Sequence, residues 1–456
     1  MNYYLAVDIG ASSGRHILGY VRCGKLCLSE IYRFENNVQN QNGSLVWDIE
    51  HLKNEVINGI AECKKIGKIP CSVAIDTWAV DYVLLDENKN ILPPVYAYRD
   101  SRTAAVKPVV DALFQQGELY GITGIQSQNF NTIYQLYCDK QSGKLQKAKH
   151  FLMIPEFLSY CLTGKMANEY TNASTTSMLN AKTKTWDAGI IEKLGFNKDL
   201  FLPLSTPGTL LGGFTAEIEK QVGFNANVVL APSHDTASAV AACPIDGESV
   251  YISSGTWSLI GTENAEPILN NAARSANFTN EGGVEYKFRF LKNIMGMWLF
   301  QNIRRNINKS LTYDEMMFKA QESSFSELIN PNDDSFVAPE NMVEAVRKYL
   351  NKSDLPLADV LKSVYISLAN SYKESVEVIE QISKKTVKNI IIVGGGSKDA
   401  YLNRLTALAT GKTVYTGLME ATATGNITAQ IMFDKKIDLA ACREIIKKSF
   451  PIKEAK

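Results

Sequence analysis

The chain has 456 residues, 45% of them hydrophobic and 21% charged, which is the composition of a folded globular protein long enough for two domains. Lys+Arg and Asp+Glu balance at 48 each, so a general affinity for nucleic acid or for an anionic membrane surface is not expected. No run approaches the roughly 18 apolar residues of a membrane span, and the start, Met1-Asn2-Tyr3, has no basic region leading into an apolar stretch. With eight scattered cysteines and no Cys-x-x-Cys pair, the expectation is a cytoplasmic protein with reduced thiols.

Tyr4-Leu5-Ala6-Val7-Asp8-Ile9 predicts a buried strand that runs into the small-residue turn Gly10-Ala11-Ser12-Ser13-Gly14-Arg15. Small residues let the backbone close tightly and aim its N–H groups at one anion, and Asp8 adds a carboxylate at the strand end. The pair suggests a nucleotide with a divalent metal; an ordinary turn after a strand is the equal alternative. The spacing excludes two common phosphate loops. The dinucleotide fingerprint needs glycine where Ser12 stands, and the P-loop needs Gly-Lys-Ser/Thr after a longer gap.

Apolar residues at 49, 52, 56, 57 and 60 predict a helix over 49–66. Strands follow at 71–76 and 82–85, and the turn 86–90 folds the second into an antiparallel hairpin with Ile91-Leu92. The segment 150–162 reads as a mostly buried helix ended by Thr163-Gly164. After the strand Val228-Val229-Leu230 comes Ala231-Pro232-Ser233-His234-Asp235-Thr236-Ala237-Ser238-Ala239. Its small residues predict a tightly packed helix start, where the helix dipole favours an ionised Asp235 able to take a proton from a hydroxyl. The alternative is that Asp235 or Ser233 is only an N-cap. Of the four histidines, His16, His51 and His150 have no metal-ligand spacing and read as surface or packing residues. No Gly-x-Ser-x-Gly elbow accompanies His234, so it reads as a substrate hydrogen-bonder or a helper of the base.

A domain boundary is expected at Cys243-Pro244-Ile245-Asp246-Gly247. Beyond it, residues 250–261 repeat the opening pattern of strand, small-residue turn and strand, now around Ser253-Ser254-Gly255-Thr256. One such loop per half suggests a duplicated fold with a nucleotide clamped between the halves. A long helix is predicted from Leu361 to Ile379 and a strand at 390–393, followed by Gly394-Gly395-Gly396-Ser397 and a helix near Asp399. A tight turn explains one glycine; three let the backbone pass flat under an adenine or ribose. Two phosphate-type loops, a glycine platform, Asp8 and Asp235 together form the equipment of phosphoryl transfer.

These residues resemble the FGGY carbohydrate kinases of the actin–hexokinase superfamily, over nearly the whole chain. The specific segments are Val7 to Arg15, Gln41-Asn42-Gly43, Ile75-Asp76-Thr77-Trp78, Tyr98-Arg99-Asp100-Ser101-Arg102, Glu169-Tyr170-Thr171-Asn172-Ala173 and Ser233 to Val240. Later come Ser253 to Ser258, Asn280-Glu281-Gly282-Gly283, Leu291 to Gly296 and Asn330-Pro331-Asn332-Asp333-Asp334. The resemblance implies two ribonuclease-H-like α/β domains, 1–243 and 244–456, with a nucleotide cleft between them. It implies that Ala11, Ser12, Ser13, Gly14 and Arg15 bind ATP phosphates and that Asp8 holds Mg²⁺ through water. Thr256 would bind phosphate, Gln301 the nucleotide and Gly395 the adenosine. Asp235 would be the base for a sugar's C1 hydroxyl, with His234, Thr236 and Asn293 holding the sugar. Ala79 stands where the family has a sugar-side glycine. The implied reaction converts ATP and L-rhamnulose to ADP and L-rhamnulose 1-phosphate; L-fuculose and D-xylulose are the alternative ketoses. A non-catalytic sugar- and nucleotide-binding regulator is the alternative class, and the presence of both Asp8 and Asp235 argues against it. Trp78 reads equally as a sugar-facing ring or a core residue, and Asp333-Asp334 as a turn before a second metal site. No oligomeric state is read from the pattern.

Overall fold

The computed structural model describes residues 2–455, and the chain divides into two compact units. The first holds the chain up to Ala242 together with Glu263–Phe290 and Ala421–Ser449; the second holds Cys243–Thr262, Leu291–Glu420 and the end of the chain from Phe450. A single cut at 243/244 was the sequence-based expectation. The contacts divide the chain next to that position but return two later segments to the first unit.

In the first unit, β1 (Tyr3–Ile9), β2 (Ser13–Arg22) and β3 (Lys25–Glu35) form an antiparallel meander. α1 (Ile49–Lys65) follows, capped by Asp48, whose carboxylate accepts the His51 N–H. It lays Leu52, Val56 and Ile60 into the core. β4 (Pro70–Thr77) then pairs parallel with β1. β1 is buried on both faces, as an unbroken apolar run requires. His16 of β2 is fully buried against the Val56 carbonyl, and burial pushes its ring down to about 4, consistent with a packing role.

The strand β5 (Tyr82–Leu85) corrects two expectations. Its ladder partner is β6 (His150–Met153), antiparallel, whereas Ile91 makes only an isolated bridge to Leu85. The predicted helix therefore starts later, as α2 (Ile154–Thr163). A short apolar run has no period that separates strand from helix; tertiary pairing decides, and Pro155 in the first turn of α2 marks the switch. Gly164 caps α2 in the left-handed conformation, as Thr163-Gly164 predicted. β7 (Leu210–Gly213) and β8 (Asn227–Val229) complete a sheet in the order β7-β8-β4-β1-β2-β3. α3 (Asp235–Ala242) leaves the end of that sheet.

The helix Ala421–Lys435 belongs to this unit and threads its polar side chains into the sheet. Asn426 donates to the Ala74 carbonyl (3.1 Å) and to Asp76 (2.6 Å), and Gln430 donates to the Leu5 carbonyl (3.0 Å) and accepts from Ser72 (2.7 Å). At Gly425 the helix meets α3 so closely that a β-carbon would fall inside the Ser238 carbonyl.

In the second unit, β9 (Ser249–Ser254) turns antiparallel into β10 (Trp257–Asn264). β11 (Phe288–Met295), α4 (Trp298–Asn306), α5 (Leu357–Ser383), β12 (Asn389–Val393), β13 (Thr413–Thr416) and β14 (Lys453–Glu454) follow. The strand order here is β11-β10-β9-β12-β13-β14. β9 is parallel to β12 and β12 to β13, with β14 antiparallel at the edge. A seventh strand, Thr279–Gly282, lies beside β11 in this sheet; the other six repeat the spatial order β3-β2-β1-β4-β8-β7 of the first unit. The duplication inferred from two strand–turn–strand signatures is thus a duplication of whole ribonuclease-H-like α/β sheets. Among the described residues no helix is long and apolar enough to cross a membrane.

Gly425→Ala is expected to lower stability by about 2–3 kcal/mol, since the methyl must push apart two packed backbones and outweighs the gain in helix propensity. Urea unfolding of the variant checks this; an unchanged midpoint would show that the two helices can separate at no cost.

Candidate active site

The acids of the first unit gather where its parallel strands end. Asp8 closes β1 and lies in register beside Asp76 of β4, so both side chains leave the same face of the sheet. One strand further, Thr77 bridges His234 in parallel, and its N–H donates to the Ser233 carbonyl (2.9 Å). That bond places Asp235, the first residue of α3, beside the other two. Arg15 reaches Asp8 at 2.6 Å. Asp76 is fully buried; burial first, then the charges of Asp8 and Asp235, hold its carboxyl well above the usual range, against the Asn426 hydrogen bond. Its Oδ1 accepts no hydrogen bond within the protein. Sequence reasoning included Asp76 only in a family segment and gave it no role. The available signal was a second aspartate at the end of a predicted parallel strand.

The base candidate is held by its own turn. Asp235 Oδ1 accepts from the Thr236 N–H (2.5 Å) and the Thr236 hydroxyl (3.1 Å), and the side chain remains 32% exposed. Asp235 lies inside α3 and bonds to its immediate neighbour, which is not N-cap geometry, and an edge of its side chain stays exposed. His234 stands against it, Nε2 being 3.4 Å from Asp235 Oδ1. Arg289 Nη2 lies 3.1 Å from His234 Nδ1. Glu281 Oε2 lies 3.4 Å from the same Nδ1; a guanidinium only donates, so toward Arg289 this nitrogen is the acceptor, and Nε2 faces Asp235. Glu281 neutralises Arg289 at 3.1 Å. Burial raises the Glu281 carboxyl, but the Arg289 charge and His234 outweigh it and hold the group below its ordinary value. Arg289 and Glu281 are the site residues that sequence reasoning missed: Glu281 appeared only in a family segment, and Arg289 had no local signal.

Ala79 is partly exposed and is not among the residues with positive φ, so a methyl group is compatible with the backbone there. The strained residue is Val80, at φ 68°. Its carbonyl accepts from the Thr132 hydroxyl (2.7 Å) and from Gln135 (3.3 Å), which lock the turn. Trp78 is buried, stacks on Trp47 with ring centroids 4.1 Å apart, and donates to Asp81 (2.9 Å). The core reading of Trp78 is the correct one. Asp81 also accepts from Trp47, the Tyr98 N–H and Gln135, yet burial still pushes its carboxyl up to about 6.

In the first-unit turn, Asn36 donates to the Gly10 carbonyl (2.8 Å) and its own N–H donates to the Ser12 carbonyl (3.1 Å). Gly10 donates to the Ser13 carbonyl (2.9 Å). Protein donors thus occupy the loop's carbonyl oxygens, and Ala11, Ser12 and Ser13 stay at least partly exposed. Gly14 is needed for room rather than for conformation, because a β-carbon would enter the Phe34 ring.

In the second unit, Thr256 sits in the β9–β10 turn, where its carbonyl accepts from the N–H groups of Gly296 (3.2 Å) and Trp298 (3.1 Å). This couples the turn to the start of α4, which carries Gln301. Asn293 is half-buried on β11. The three glycines after β12 have three separate reasons. Gly394 takes φ 83°, Gly396 has no room for a β-carbon against Ser254, and Gly395 has open space above it. Asp333 accepts from the Ser335 N–H (3.0 Å) and caps a short helical turn, as the turn reading of that segment anticipated.

Among the described residues no group of three or more His, Cys, Asp or Glu is assembled around a point. The carboxylates fit a metal that is held by one or two acids and completed by phosphate and water. The unpartnered Asp76 oxygen and its raised carboxyl mark the place where positive charge is missing.

Duplicated ribonuclease-H-like sheets carrying acids on one unit and a glycine platform on the other define a kinase of small molecules. The model of the N-terminal domain of the FGGY family of carbohydrate kinases matches residues 3–242, and that of the C-terminal domain matches 250–433. The chain belongs to this family and is a carbohydrate kinase. FGGY sugar kinases use ATP, generally with a divalent metal. A rhamnulokinase of Oceanobacillus iheyensis is 46% identical, covering 98% of this chain and 97% of its own. One of Halalkalibacterium halodurans is also 46% identical (99% and 98% covered), and one of Bacillus subtilis 40% (99% and 94%). Among solved structures, a ligand-bound xylulose kinase from Lactobacillus acidophilus superposes with a TM-score of 0.83 at 17% identity, covering 100% of this chain and 93% of that one. Plasmodium falciparum glycerol kinase with ADP does so at 0.80 and 14%, covering 100% and 94%. At these identities the two structures report the fold.

Arg289→Met leaves Glu281 buried without its counter-charge and frees His234 to turn. A loss of about 3 kcal/mol in stability and about a hundredfold in kcat/KM is expected. The double variant Arg289→Met/Glu281→Gln is expected to regain stability but not activity. Full activity in the double variant would show that the pair does not orient His234.

Proposed function

We propose that the protein transfers the γ-phosphoryl group of Mg-ATP to the C1 hydroxyl of L-rhamnulose. The observation that carries this reading is the Asp8–Asp76–Asp235 cluster at adjacent strand ends, with an open edge on Asp235, in a chain whose near-full-length relatives are rhamnulokinases. Asp235 is the general base, since its carboxylate stands free to accept the hydroxyl proton as the oxygen attacks. His234 Nε2–H, Thr236 and Asn293 donate to sugar oxygens, and the backbone at Ala79 closes on the sugar. Asp8 would hold Mg²⁺, through water, with Asp76 its neighbour in register; the ion would supply charge neutralisation for the transferring phosphoryl group. Ala11 to Arg15 and Thr256 bind phosphate oxygens, Gln301 contacts the nucleotide, and Gly395 offers the flat open surface that an adenosine needs.

ADP release measured across L-rhamnulose, L-fuculose and D-xylulose, with and without Mg²⁺, tests the reading. The highest kcat/KM is expected for L-rhamnulose, with turnover lost when the metal is chelated. Asp235→Asn is expected to keep the fold and nucleotide binding while losing about a hundredfold or more in kcat. A higher kcat/KM for another ketose would move the substrate, a fully active Asp235→Asn would remove the base, and no turnover with any sugar would favour a binding protein.

A further inference from the structure

Behind the base segment lies a buried group with no part in the chemistry above. The Ser233 hydroxyl sits between two glutamates that are both fully buried, 2.5 Å from Glu156 Oε1 and 2.9 Å from Glu169 Oε2. A hydroxyl owns one proton and can donate to only one of them. If both carboxylates were ionised, the other contact would press two oxygen lone pairs together at hydrogen-bond distance with no proton between them. A second proton is therefore required within the trio.

The surroundings say where it sits. Glu169 is encircled by donors: Oε1 accepts the Thr171 N–H (2.8 Å), and Oε2 accepts the Thr171 hydroxyl (2.5 Å), the Ser233 N–H (3.0 Å) and the Asn172 N–H (3.3 Å). Burial raises the Glu169 carboxyl, and these donors work against that, in favour of the ionised form. Glu156 is less well served: its Oε2 has no hydrogen-bond partner among the described residues. We propose that Glu156 is a positioning residue that works in its protonated form, donating to the Ser233 hydroxyl, which in turn donates to ionised Glu169. This rests on the reading of Asp235 as the base. The relay Glu156–Ser233–Glu169 anchors the segment whose next two residues are His234 and Asp235.

Burial first, then the Glu169 charge, pushes the Glu156 carboxyl up to about 8, against the Ser233 bond and two backbone N–H groups. Glu169 is the ionisable group that bears on it. On the elements packed against α2, Asp76 of β4 is engaged with Asn426, while His150 of β6 and the charged residues of α1 are at least partly exposed. Above pH 8 the proton leaves, two negative carboxylates face one hydroxyl, and the Ser233 segment is driven off one of them. Asp235 moves with it. A structural glutamate that merely filled space would have no such dependence.

The test is a pH profile of kcat with ADP measured directly, on the wild type, Glu156→Gln and Glu156→Leu. Wild-type kcat is expected to fall about tenfold per pH unit above about pH 8, as a single essential proton is lost. Glu156→Gln keeps a donor toward Ser233 without a titrating proton. It is expected to stay within about threefold of wild type near pH 7 and to lose the alkaline limb. Glu156→Leu is expected to lose more than about tenfold at every pH. If the leucine variant fails to fold, the glutamine variant still decides. A protonated-carboxyl infrared band at neutral pH that appears in the wild-type minus Glu156→Gln difference spectrum, with the Asp76 band cancelling, locates the proton independently of turnover. A Glu156→Gln profile with the same alkaline limb as wild type, or no such band, overturns the proposal. Loss of the Asp235 assignment alone would leave the band in place.

Discussion

Negative charge concentrated at the ends of adjacent parallel strands is the constraint on which the first unit is built. Two carboxylates in register on neighbouring strands stand about 5 Å apart and repel by about 3 kcal/mol at an effective dielectric of about 20. Asp8 and Asp76 accept that cost, with Asp235 adding to it from the next strand position. Arg15 answers Asp8, and Asn426 answers one oxygen of Asp76. The other oxygen of Asp76 has no hydrogen-bond partner among the described residues, and burial with the neighbouring charges holds its carboxyl well above the usual range.

The same economy of polar partners recurs around the base. His234 is turned by Arg289, Arg289 is balanced by Glu281, and Ser233 is caught between Glu156 and Glu169. None of these four charged residues needs to meet a substrate. All four are buried, so each is held by its polar partners and in turn fixes the geometry of its neighbour. The second unit uses the same strand order differently. Where β1 and β4 carry Asp8 and Asp76 near their ends, the corresponding strands β9 and β12 end in Ser254 and Val393, with no acid. Folding twice by one plan therefore did not produce two equivalent sites.

Local pattern carried the fold a long way. The two strand–turn–strand signatures, the helix around Leu52, Val56 and Ile60, the long helix around Leu368 and the Gly394–Gly396 turn were legible because each depends on residues close in sequence. His150 to Met153 was not, since its strand character comes from pairing with Tyr82 to Leu85, about 65 residues earlier. The membership of the helix Ala421–Lys435 in the first unit was equally hidden; its partners on β1 and β4 lie some 350 to 425 residues away. The candidate site divides the same way. Asp8, His234 and Asp235 sit in recognisable local motifs. Arg289 has meaning only through Nδ1 of His234, and Glu156 only through a hydroxyl 77 residues distant.

That late helix also governs how the protein is born. Asn426 and Gln430 fill the hydrogen bonds of β1 and β4, and Gly425 admits α3 at backbone contact. A ribosome has delivered almost the whole chain before these residues emerge. Domains usually mature in the order they are synthesised, the N-terminal one first. Here the first unit must wait, its sheet face uncovered and Asp76 without its amide, until the second unit has been made. A chain that ends before residue 421 therefore lacks a helix of the first unit and the donors that it gives to β1 and β4.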